Sequence, residues 1–572
     1  MKVLFPYIKK YRWDAIWSVV AIFVVAFATL WQPHLLQIIM NAIMKNDKQT
    51  VWVNGLYLIG LAIVGIVGGI VNTIYSARVA LGVATDLRAD EYAKIQSLAY
   101  ADVEKFSPSN LVVRMTNDIN QVQQIIMGFF QQVTRIPILF IGAVILAIVT
   151  LPQLWWVIAV MMVLLFGVSF FSFSHMGKYF GRMQQLIERV NTLARENLMG
   201  MRVVKSFVQG ANQTKTFAES SDEMRDVSVK IGNLFALLMP AFFLVANLAM
   251  ALSIWLIGQN ITSQPSNLAA ITSFINYLMQ ILFAIINGGF MLTFASRALV
   301  SLRRIHEVMD TKPSMTFVDG PQRDLDGSVE FDDVTFTYPG DEKPTIRDID
   351  FAVKPGEMIG IVGATGSGKT TLAQLIPRLF DPDTGIVKVG GHDVRAVTEA
   401  DLRKTVGYVL QRSTLFSGTI AENLQQGNPN ADLAAMKWAA RVAQSAEFIE
   451  RLPQTYNAEV EERSSNFSGG QKQRLSITRG VIGHPKILIL DDATSALDAR
   501  SEKLVQEALA HELKHTTTII IAEKISSIIK ADRILVLDDG RLVGSGTHHE
   551  LVQHNRVYRE IYATQKALEE GV

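Results

Sequence analysis

Apolar residues in the first half of the chain form six long runs. The runs lie near residues 15–39, 53–75, 130–150, 154–174, 235–258 and 268–293. A helix needs about 20 apolar residues to cross a bilayer. Any one run would also suit a buried core helix, but six in succession, without the alternation of strands, predict six membrane-spanning helices.

The segments between these runs differ in length and charge. Those at 40–52, 150–154 and 259–267 are short, and the last has no basic residue. Those at 76–129 and 175–234 are long and basic, which predicts that they and both chain ends are cytoplasmic. Without a small-residue cleavage site near the N-terminus, the first run is predicted to be a retained span. The basic residues in the long segments include Arg78, Arg88, Lys94, Lys105, Arg114, Lys178, Arg182, Arg189, Arg195, Arg202, Lys205, Lys215, Arg225 and Lys230.

Helical periodicity continues from the apolar runs into the long segments. "ATDLRADEYAKIQSL" and "RMQQLIERVNTLARENLMGMRVVKSF" place apolar residues three and four positions apart. We therefore expect the spans to extend as helices into the cytoplasm, to turn near 99–110 and 208–217, and to return.

Polar side chains are scarce within the spans. Asn72, Asn247, Asn276, Gln280 and Asn287 are expected mostly to bond between helices. The lack of charge disfavours a proton or ion relay. The apolar lining suits lipophilic cargo and ordinary helix packing alike; its residues are Phe242, Phe243, Met279, Phe283, Phe290 and Met291.

The pattern changes after about residue 300. Residues 309–327 are rich in proline, glycine and aspartate, which is typical of a linker. Short β-rich runs then alternate with helical ones, as in "MIGIVG", "KILILDD" and "TTTIIIA". This alternation predicts an α/β domain with a mostly parallel core sheet. We predict a six-helix membrane domain at 1–308, a linker at 309–328 and an α/β P-loop domain at 329–572.

Composition narrows the function classes. The 572 residues suffice for two or three domains, and a net charge of +1 gives no reason to expect nucleic acid as a partner. The mean hydropathy of +0.23 is high for a soluble protein. No cysteine is present, which excludes disulfides and thiolate chemistry.

The strongest chemical signal is "GATGSGKTT". Gly363, Gly368, Lys369 and Thr370 fit a phosphate-binding loop placed between a strand-like run and a helical run. In such a loop backbone amides surround phosphate oxygens, the lysine reaches the terminal phosphates and the threonine ligates Mg²⁺. Asp491, at the end of "KILILDD", is predicted to hold the same Mg²⁺. The remaining candidate ATP-binding residues of the loop are Ala364, Thr365, Gly366, Ser367 and Thr371.

"NFSGGQKQR" at 466–474 closely resembles the signature sequence of ATP-binding-cassette (ABC) proteins, and it precedes Asp491 at the expected distance. Six spans followed by one cassette resemble an ABC exporter half-transporter over the whole chain. The resemblance implies that Tyr338 stacks on adenine and that Gln411 senses Mg²⁺ and the membrane domain. It implies coupling roles for Glu462 and Asp498. Two cassettes would pair head to tail, so the signature would complete a partner's ATP site; its residues are Ser468, Gly469, Gly470 and Gln471.

Two positions depart from the family pattern. Asp492 stands where the catalytic glutamate is normal, and Glu523 stands where a histidine normally contacts the γ-phosphate. Aspartate is one methylene short, and misplacing a catalytic group by about 1 Å costs on the order of 10²-fold in rate. A carboxylate at 523 adds like-charge repulsion beside a phosphate.

The joint departure resembles the degenerate subunit of heterodimeric prokaryotic multidrug exporters. It predicts a plasma-membrane exporter of lipophilic compounds in which this chain retains ATP and a second half-transporter hydrolyses it. Two alternatives stay open: a homodimeric exporter with slow hydrolysis, and an ATP-gated channel or regulatory subunit. Import by the same fold is not excluded.

Overall fold

The computed structural model describes residues 4–259 and 267–569, without the side chains of 173, 290, 292–297 and 567–569. The chain divides into two compact units, Met1–Gln96 with Ser109–Thr311, and Ser97–Pro108 with Lys312–Val572. We call them the membrane unit and the cassette unit. Most of the 259–267 loop and the Phe290 side chain, both named above, lie outside the described residues.

Helices account for nearly all of the described residues up to Asp310. They are α1 (Phe5–Lys10), α2 (Arg12–Met44), α3 (Lys48–Gln96), α4 (Tyr100–Phe106), α5 (Pro108–Val113), α6 (Ile119–Gly128), α7 (Arg135–Thr150), α8 (Trp155–Met199), α9 (Met201–Ser206), α10 (Gly210–Gly258) and α11 (Asn267–Asp310). Short π-helical segments at Arg114–Asp118 and Phe129–Val133 join α5, α6 and α7.

Six helical stretches in the described residues are long and apolar enough to cross a membrane, which confirms the predicted number and order. They are Arg12–Met44, Lys48–Gln96, Pro108–Thr150, Pro152–Met199, Gly210–Gly258 and Asn267–Gly289. The 49 residues of α3 span about 74 Å at about 1.5 Å per residue, whereas a hydrocarbon core is about 30 Å thick. The helices therefore extend well beyond the apolar runs, as their periodicity predicts.

The two predicted turns differ in form. The turn expected at 99–110 holds α4, which groups with the cassette unit. The Asp102 carboxylate accepts the backbone N–H of Ala99 at 3.2 Å and that of Ser314 at 2.9 Å. The second turn is shorter than the predicted 208–217, because α10 already begins at Gly210.

Proline in α2 explains one interhelical contact. Pro33 has no N–H to donate to the carbonyl of Thr29, one turn earlier. Gln280 of α11 donates its amide to that carbonyl at 3.3 Å, and Tyr277 donates its hydroxyl to the carbonyl of Leu30 at 3.1 Å. The neighbouring helix thus replaces the bond that proline removes.

Three of the other four amides named above form hydrogen bonds of two kinds. Asn72 of α3 bonds between helices, to the carbonyls of Ser18 at 2.9 Å and Phe130 at 3.3 Å. Asn276 and Asn287 instead donate to carbonyls four residues earlier in α11, at 2.9 and 2.7 Å. A short side chain on a helix can satisfy its donor locally when no neighbouring acceptor is closer.

The cassette unit contains two larger sheets and a two-stranded ribbon. The strands are β1 (Val329–Phe336), β2 (Ile346–Val353), β3 (Met358–Gly363), β4 (Thr384–Val389), β5 (His392–Asp393), β6 (Val406–Val409), β7 (Gly418–Thr419), β8 (Glu459–Val460), β9 (Ile487–Asp491), β10 (Thr517–Ile521), β11 (Arg533–Asp538) and β12 (Arg541–Gly546). The six-stranded sheet has the order β12-β11-β3-β10-β9-β6, parallel except for β12, and the antiparallel sheet has the order β2-β1-β4-β5.

The parallel sheet is the core that the sequence predicts. β9 and β10 are buried at every position, as strands covered on both faces must be.

The helices of the cassette unit are α12 (Lys369–Leu375), α13 (Glu399–Thr405), α14 (Ile420–Gln425), α15 (Leu433–Val442), α16 (Ala446–Ile449), α17 (Gly469–Val481), α18 (Ala499–Glu512), α19 (His548–His554) and α20 (Arg556–Glu569).

The segment after α11 packs against the cassette core. Phe317 lies 4.8 Å from the Arg378 guanidinium and 5.7 Å from that of Arg403, measured to the ring centre. The N–H of Arg323 donates to Asp401 at 3.0 Å, and Leu325 is buried. This stretch of the sequence therefore has fixed contacts although its composition is that of a linker.

Candidate active site

The glycine-rich loop follows β3 and leads into α12, as its sequence context predicts. Gly366 and Gly368 have φ of 85° and 95°, values that side chains with a Cβ seldom adopt. A Cβ on Gly368 would also lie 2.5 Å from a methyl of Ile346. The loop therefore depends on glycine both for its backbone conformation and for its close approach to β2.

Lys369 is enclosed by this loop. Its ammonium donates to the carbonyls of Gly363 and Ala364 at 3.0 and 2.9 Å. Burial lowers the pKa of Lys369, and the negative charges of Glu523, Asp491 and Asp492 oppose that shift. The cation is thus held at a fixed position that faces three carboxylates.

Asp491 receives a hydrogen bond at each carboxylate oxygen. Thr370 donates its hydroxyl to Oδ1 at 3.1 Å, and Tyr408 of β6 donates its phenol to Oδ2 at 3.0 Å. Burial raises the pKa of Asp491, and these two hydrogen bonds oppose the shift. The sequence did not predict a role for Tyr408 at this site. Its position three residues before Gln411 is the only feature of the sequence that places it near the site.

One cleft of about 200 Å³ brings the predicted chemistry together. The residues that line it include Thr365, Gly366, Gly368, Lys369, Thr370, Thr371, Gln411, Asp491, Asp492 and Glu523. Burial raises the pKa of Asp492, and the nearby negative charge of Glu523 raises it further. The two residues that depart from the family pattern therefore face the same space as the phosphate-binding loop.

The backbone of Asp492 is left-handed. Its φ is 47°, and its N–H donates to the carbonyl of Ile521 at 2.9 Å. Aspartate and asparagine tolerate this region better than residues with longer side chains. The bond to Ile521 holds the acidic turn after β9 against the end of β10.

Tyr338 lies beside α12 and is not among the residues that line the cleft. Its hydroxyl lies 3.0 Å from the Thr371 hydroxyl and donates to Gln374 at 3.0 Å. Its ring meets those of Phe336 and Phe380 edge to face, at 5.0 and 5.3 Å. These contacts fix the position of the ring next to the phosphate-binding loop.

The signature residues begin α17. Ser468 and Gln471 form a reciprocal cap, with Oγ of Ser468 accepting the N–H of Gln471 at 3.3 Å and the N–H of Ser468 donating to Oε1 of Gln471 at 2.9 Å. Gly469 and Gly470 form the first turn. None of these four lines the cleft in the described structure. The side chain of Gln473 accepts the N–H of Ala496 at 2.8 Å, which ties α17 to the turn after Asp492.

Glu462 and Asp498 lie on the surface of the cassette unit. Glu462 begins a short 3₁₀ turn, and its side chain is 89% exposed. Asp498 caps α18, accepting the N–H of Ser501 at 3.0 Å and its hydroxyl at 2.6 Å. Neither is among the residues that line the cleft.

The donor set fits a phosphate and a hard divalent cation. The hydroxyl of Ser367 is buried within the loop without a hydrogen-bond partner, so a phosphate oxygen there would satisfy it. Thr370, Gln411 and Asp491 present oxygen ligands, which Mg²⁺ prefers. Over the described ranges no three His, Asp or Glu side chains lie together in a way that could hold a metal ion.

Comparison with known proteins decides the family. The family model of the ABC transporter transmembrane region matches residues 15–285, and the family model described as ABC transporter matches residues 346–495. An uncharacterized ABC transporter ATP-binding protein of Bacillus subtilis, YfiB, is 37% identical over 537 residues, which cover 94% of this chain and 93% of that protein. The chain belongs to the ABC transporter family.

Two further similarities refine the assignment of this ABC transporter. An ATP-dependent lipid A-core flippase of Chromohalobacter salexigens is 30% identical over 573 residues, 98% of this chain and 97% of that one. A solved structure of a bacterial Atm1-family ABC exporter with ATP bound superposes with a TM-score of 0.79 at 26% identity, covering 97% of this chain and 98% of that chain. The protein is an ABC exporter half-transporter, a multi-pass membrane protein whose ATPase domain serves ATP-driven transport.

Proposed function

We propose that this half-transporter pairs with a different half-transporter and that its own ATP site mainly retains nucleotide. Hydrolysis would take place at the site completed by this chain's signature and by the partner's phosphate-binding loop. Closure of the paired cassettes around ATP would drive the export step, and hydrolysis at the second site would reset the cycle.

The observation that carries this proposal is the pair of carboxylates in the cleft. Asp492 and Glu523 line the same space as Lys369, so each would face the terminal phosphates of a bound nucleotide. The Asp492 side chain is one methylene shorter than glutamate, and Glu523 would repel phosphate where an imidazole would donate a hydrogen bond. Both changes weaken attack on the γ-phosphate while leaving the phosphate-binding loop intact.

The remaining site residues take supporting roles in this proposal. The loop Gly363–Thr371 would hold the phosphates, with Tyr338 against the adenine. Thr370, Gln411 and Asp491 would hold Mg²⁺, which neutralises phosphate charge when it is bound. Ser468, Gly469, Gly470 and Gln471 would contact the partner's ATP, and Glu462 and Asp498 would transmit motion between cassettes and helices.

Lipophilic cargo and a plasma-membrane location complete the proposal. The side-chain amides of Asn72 and Gln280 donate between helices, so these polar groups in the spans serve packing and leave an apolar pathway. The lipid A-core flippase named above acts on a lipid, which supports cargo of the same chemistry. Basic residues in the long connections favour cytoplasmic chain ends and a cytoplasmic cassette. We place the domain boundaries at 1–308, 309–328 and 329–572.

The test restores the family residues at both positions. We expect the purified chain with Asp492→Glu and Glu523→His to gain ATPase activity by about tenfold or more over wild type, because both the base and the phosphate contact return. Adding Lys369→Met should remove the gain, which shows that it arises at this site. No gain in the double variant would contradict the proposal.

A homodimeric exporter with slow hydrolysis is the second candidate, because Asp492 retains a carboxylate in the cleft. The wild-type chain alone distinguishes the two functions. Multiple turnovers of ATP that Asp492→Asn abolishes would favour the homodimer and would overturn the division of labour proposed here.

A further inference from the structure

The loop after β10 presents Glu523 to the cleft between two buried anchors. Ala522 is 4% exposed and Ile525 is 1% exposed, whereas Glu523 and Lys524 between them are exposed. The N–H of Ala522 donates to the carbonyl of Ile361 in β3 at 3.2 Å. The carbonyl of Glu523, on the C-terminal side of that residue, bonds to a side chain of α20 and not to a strand.

Gln565 of α20 bonds to the backbone on both sides of Lys524. Its Nε2 donates to the carbonyl of Glu523 at 2.6 Å, and its Oε1 accepts the N–H of Ile525 at 2.8 Å. One amide thus satisfies two backbone groups of a loop that has no strand partner at this point. Its fork fixes the direction in which residue 523 leaves the backbone.

α20 is a firm support for this contact. Asn555 caps the helix by accepting the N–H of Tyr558 at 2.8 Å, and it donates to the carbonyl of Val543 in β12 at 2.9 Å. Tyr558 is fully buried, with its hydroxyl 2.7 Å from Nδ1 of His548. Gln565 lies seven residues after Tyr558, so it is on the same face of the helix, towards the sheet.

We infer that Gln565 is a positioning residue of the nucleotide site, which holds the loop 522–525 so that the side chain at 523 faces the terminal phosphate. This inference rests on the proposed function, because it takes the cleft to hold ATP. It predicts that the effect of losing Gln565 depends on the side chain at 523. A carboxylate held towards phosphate weakens binding, whereas an imidazole held there strengthens it.

The test is a double-mutant cycle on the full-length purified chain. Gln565→Met keeps the size of the side chain but removes both hydrogen bonds. With Glu523 present, we expect Gln565→Met to tighten binding of the non-hydrolysable ATP analogue AMP-PNP about threefold, because the carboxylate can leave the phosphate. In the Glu523→His background the same change should weaken binding about threefold. ADP, which lacks the γ-phosphate, should show no change in either background.

Thr564→Val is the matched control on the same helix. The Thr564 hydroxyl donates only within α20, to the carbonyl of Glu560 at 2.8 Å, so its loss should leave both affinities unchanged. Thermal unfolding checks that each variant folds. If Gln565→Met does not fold, Gln565→Leu, an uncharged replacement that also lacks both hydrogen-bonding groups, should shift AMP-PNP binding in the same directions.

The outcomes separate this inference from the proposed function. A shift of the same sign in both backgrounds, an equal shift for ADP, or no shift at all would overturn the positioning role. Opposite signs would support it even if Asp492→Glu with Glu523→His gave no ATPase gain, a result that would contradict the proposed function alone.

Discussion

The two sides of the nucleotide cleft are built differently. On one side the phosphate-binding loop Gly363–Thr371 uses glycine backbone, a helix start and an enclosed lysine. On the other side Asp492 and Glu523 follow the buried strands β9 and β10 and place two carboxylates in the same cleft. The first side offers glycine backbone and a cation, which suit an anion, and the second offers acidic groups at the two positions that depart from the pattern of the family. On the proposed function, nucleotide retention and hydrolysis would depend on these two sides separately, so a sequence change on one side would leave the other in place.

The largest expected effect is on the side that binds phosphate. Lys369→Met should weaken ATP binding about 100-fold, because on the proposed function the ammonium would supply charge-assisted hydrogen bonds to phosphate. Nucleotide titration of the purified chain measures this, with the exposed Lys514→Met as the control. If the variant binds ATP with an affinity within threefold of wild type, the phosphate-binding loop is not the side of the cleft that dominates nucleotide binding, which contradicts the comparison.

Tyr408→Phe tests Asp491, which lies between the phosphate-binding loop and the carboxylate side of the cleft. The change removes the hydrogen bond to Oδ2 and should weaken Mg²⁺-dependent ATP binding by about threefold to tenfold, while binding in EDTA stays the same. Titrations with and without Mg²⁺ measure the difference.

Tyr456→Phe provides the matched control for Tyr408→Phe. The Tyr456 hydroxyl is buried and has no hydrogen-bond partner in the described structure, so removing it should leave nucleotide binding unchanged. Equal losses with and without Mg²⁺ for Tyr408→Phe would show that Tyr408 supports the fold generally and not the Asp491 carboxylate.

The smallest effect concerns the backbone on the carboxylate side. Because Asp492 is left-handed, with φ of 47°, Asp492→Glu should lower the free energy of unfolding by about 1 kcal/mol. Asp492→Asn should remain close to wild type. Thermal unfolding of the three proteins in one detergent tests the order. A glutamate variant as stable as the asparagine variant would mean that the turn after β9 imposes no restriction on residue choice.

Local patterns predicted the parts of the fold that depend on short stretches of sequence. Apolar runs of 20 residues define spans wherever they pack, and β-rich runs such as "KILILDD" become buried parallel strands because no other environment suits them. The phosphate-binding loop could be predicted from its sequence because its backbone geometry requires glycine.

Contacts between residues far apart in the sequence could not be predicted from local patterns. Asn276 and Asn287 are amides in apolar spans, where bonds between helices are expected. Each side-chain amide donates instead to a carbonyl of its own helix. Gln280 bonds across helices because Pro33, 247 residues earlier in the chain, leaves a carbonyl free. The identity of an amide does not reveal which acceptor the packing brings within reach.

The sequence alone determined that this protein is a six-span half-transporter with a phosphate-binding loop and two atypical acidic residues, because each of these features depends on neighbouring residues. Only the tertiary structure decided that Tyr408 supports Asp491, that Asp492 and Glu523 line one cleft, and that Gln565 holds the loop of Glu523. Those relations join strands and helices that are far apart in sequence, and hydrogen bonds between them form only when the sheet and the helices around it have packed.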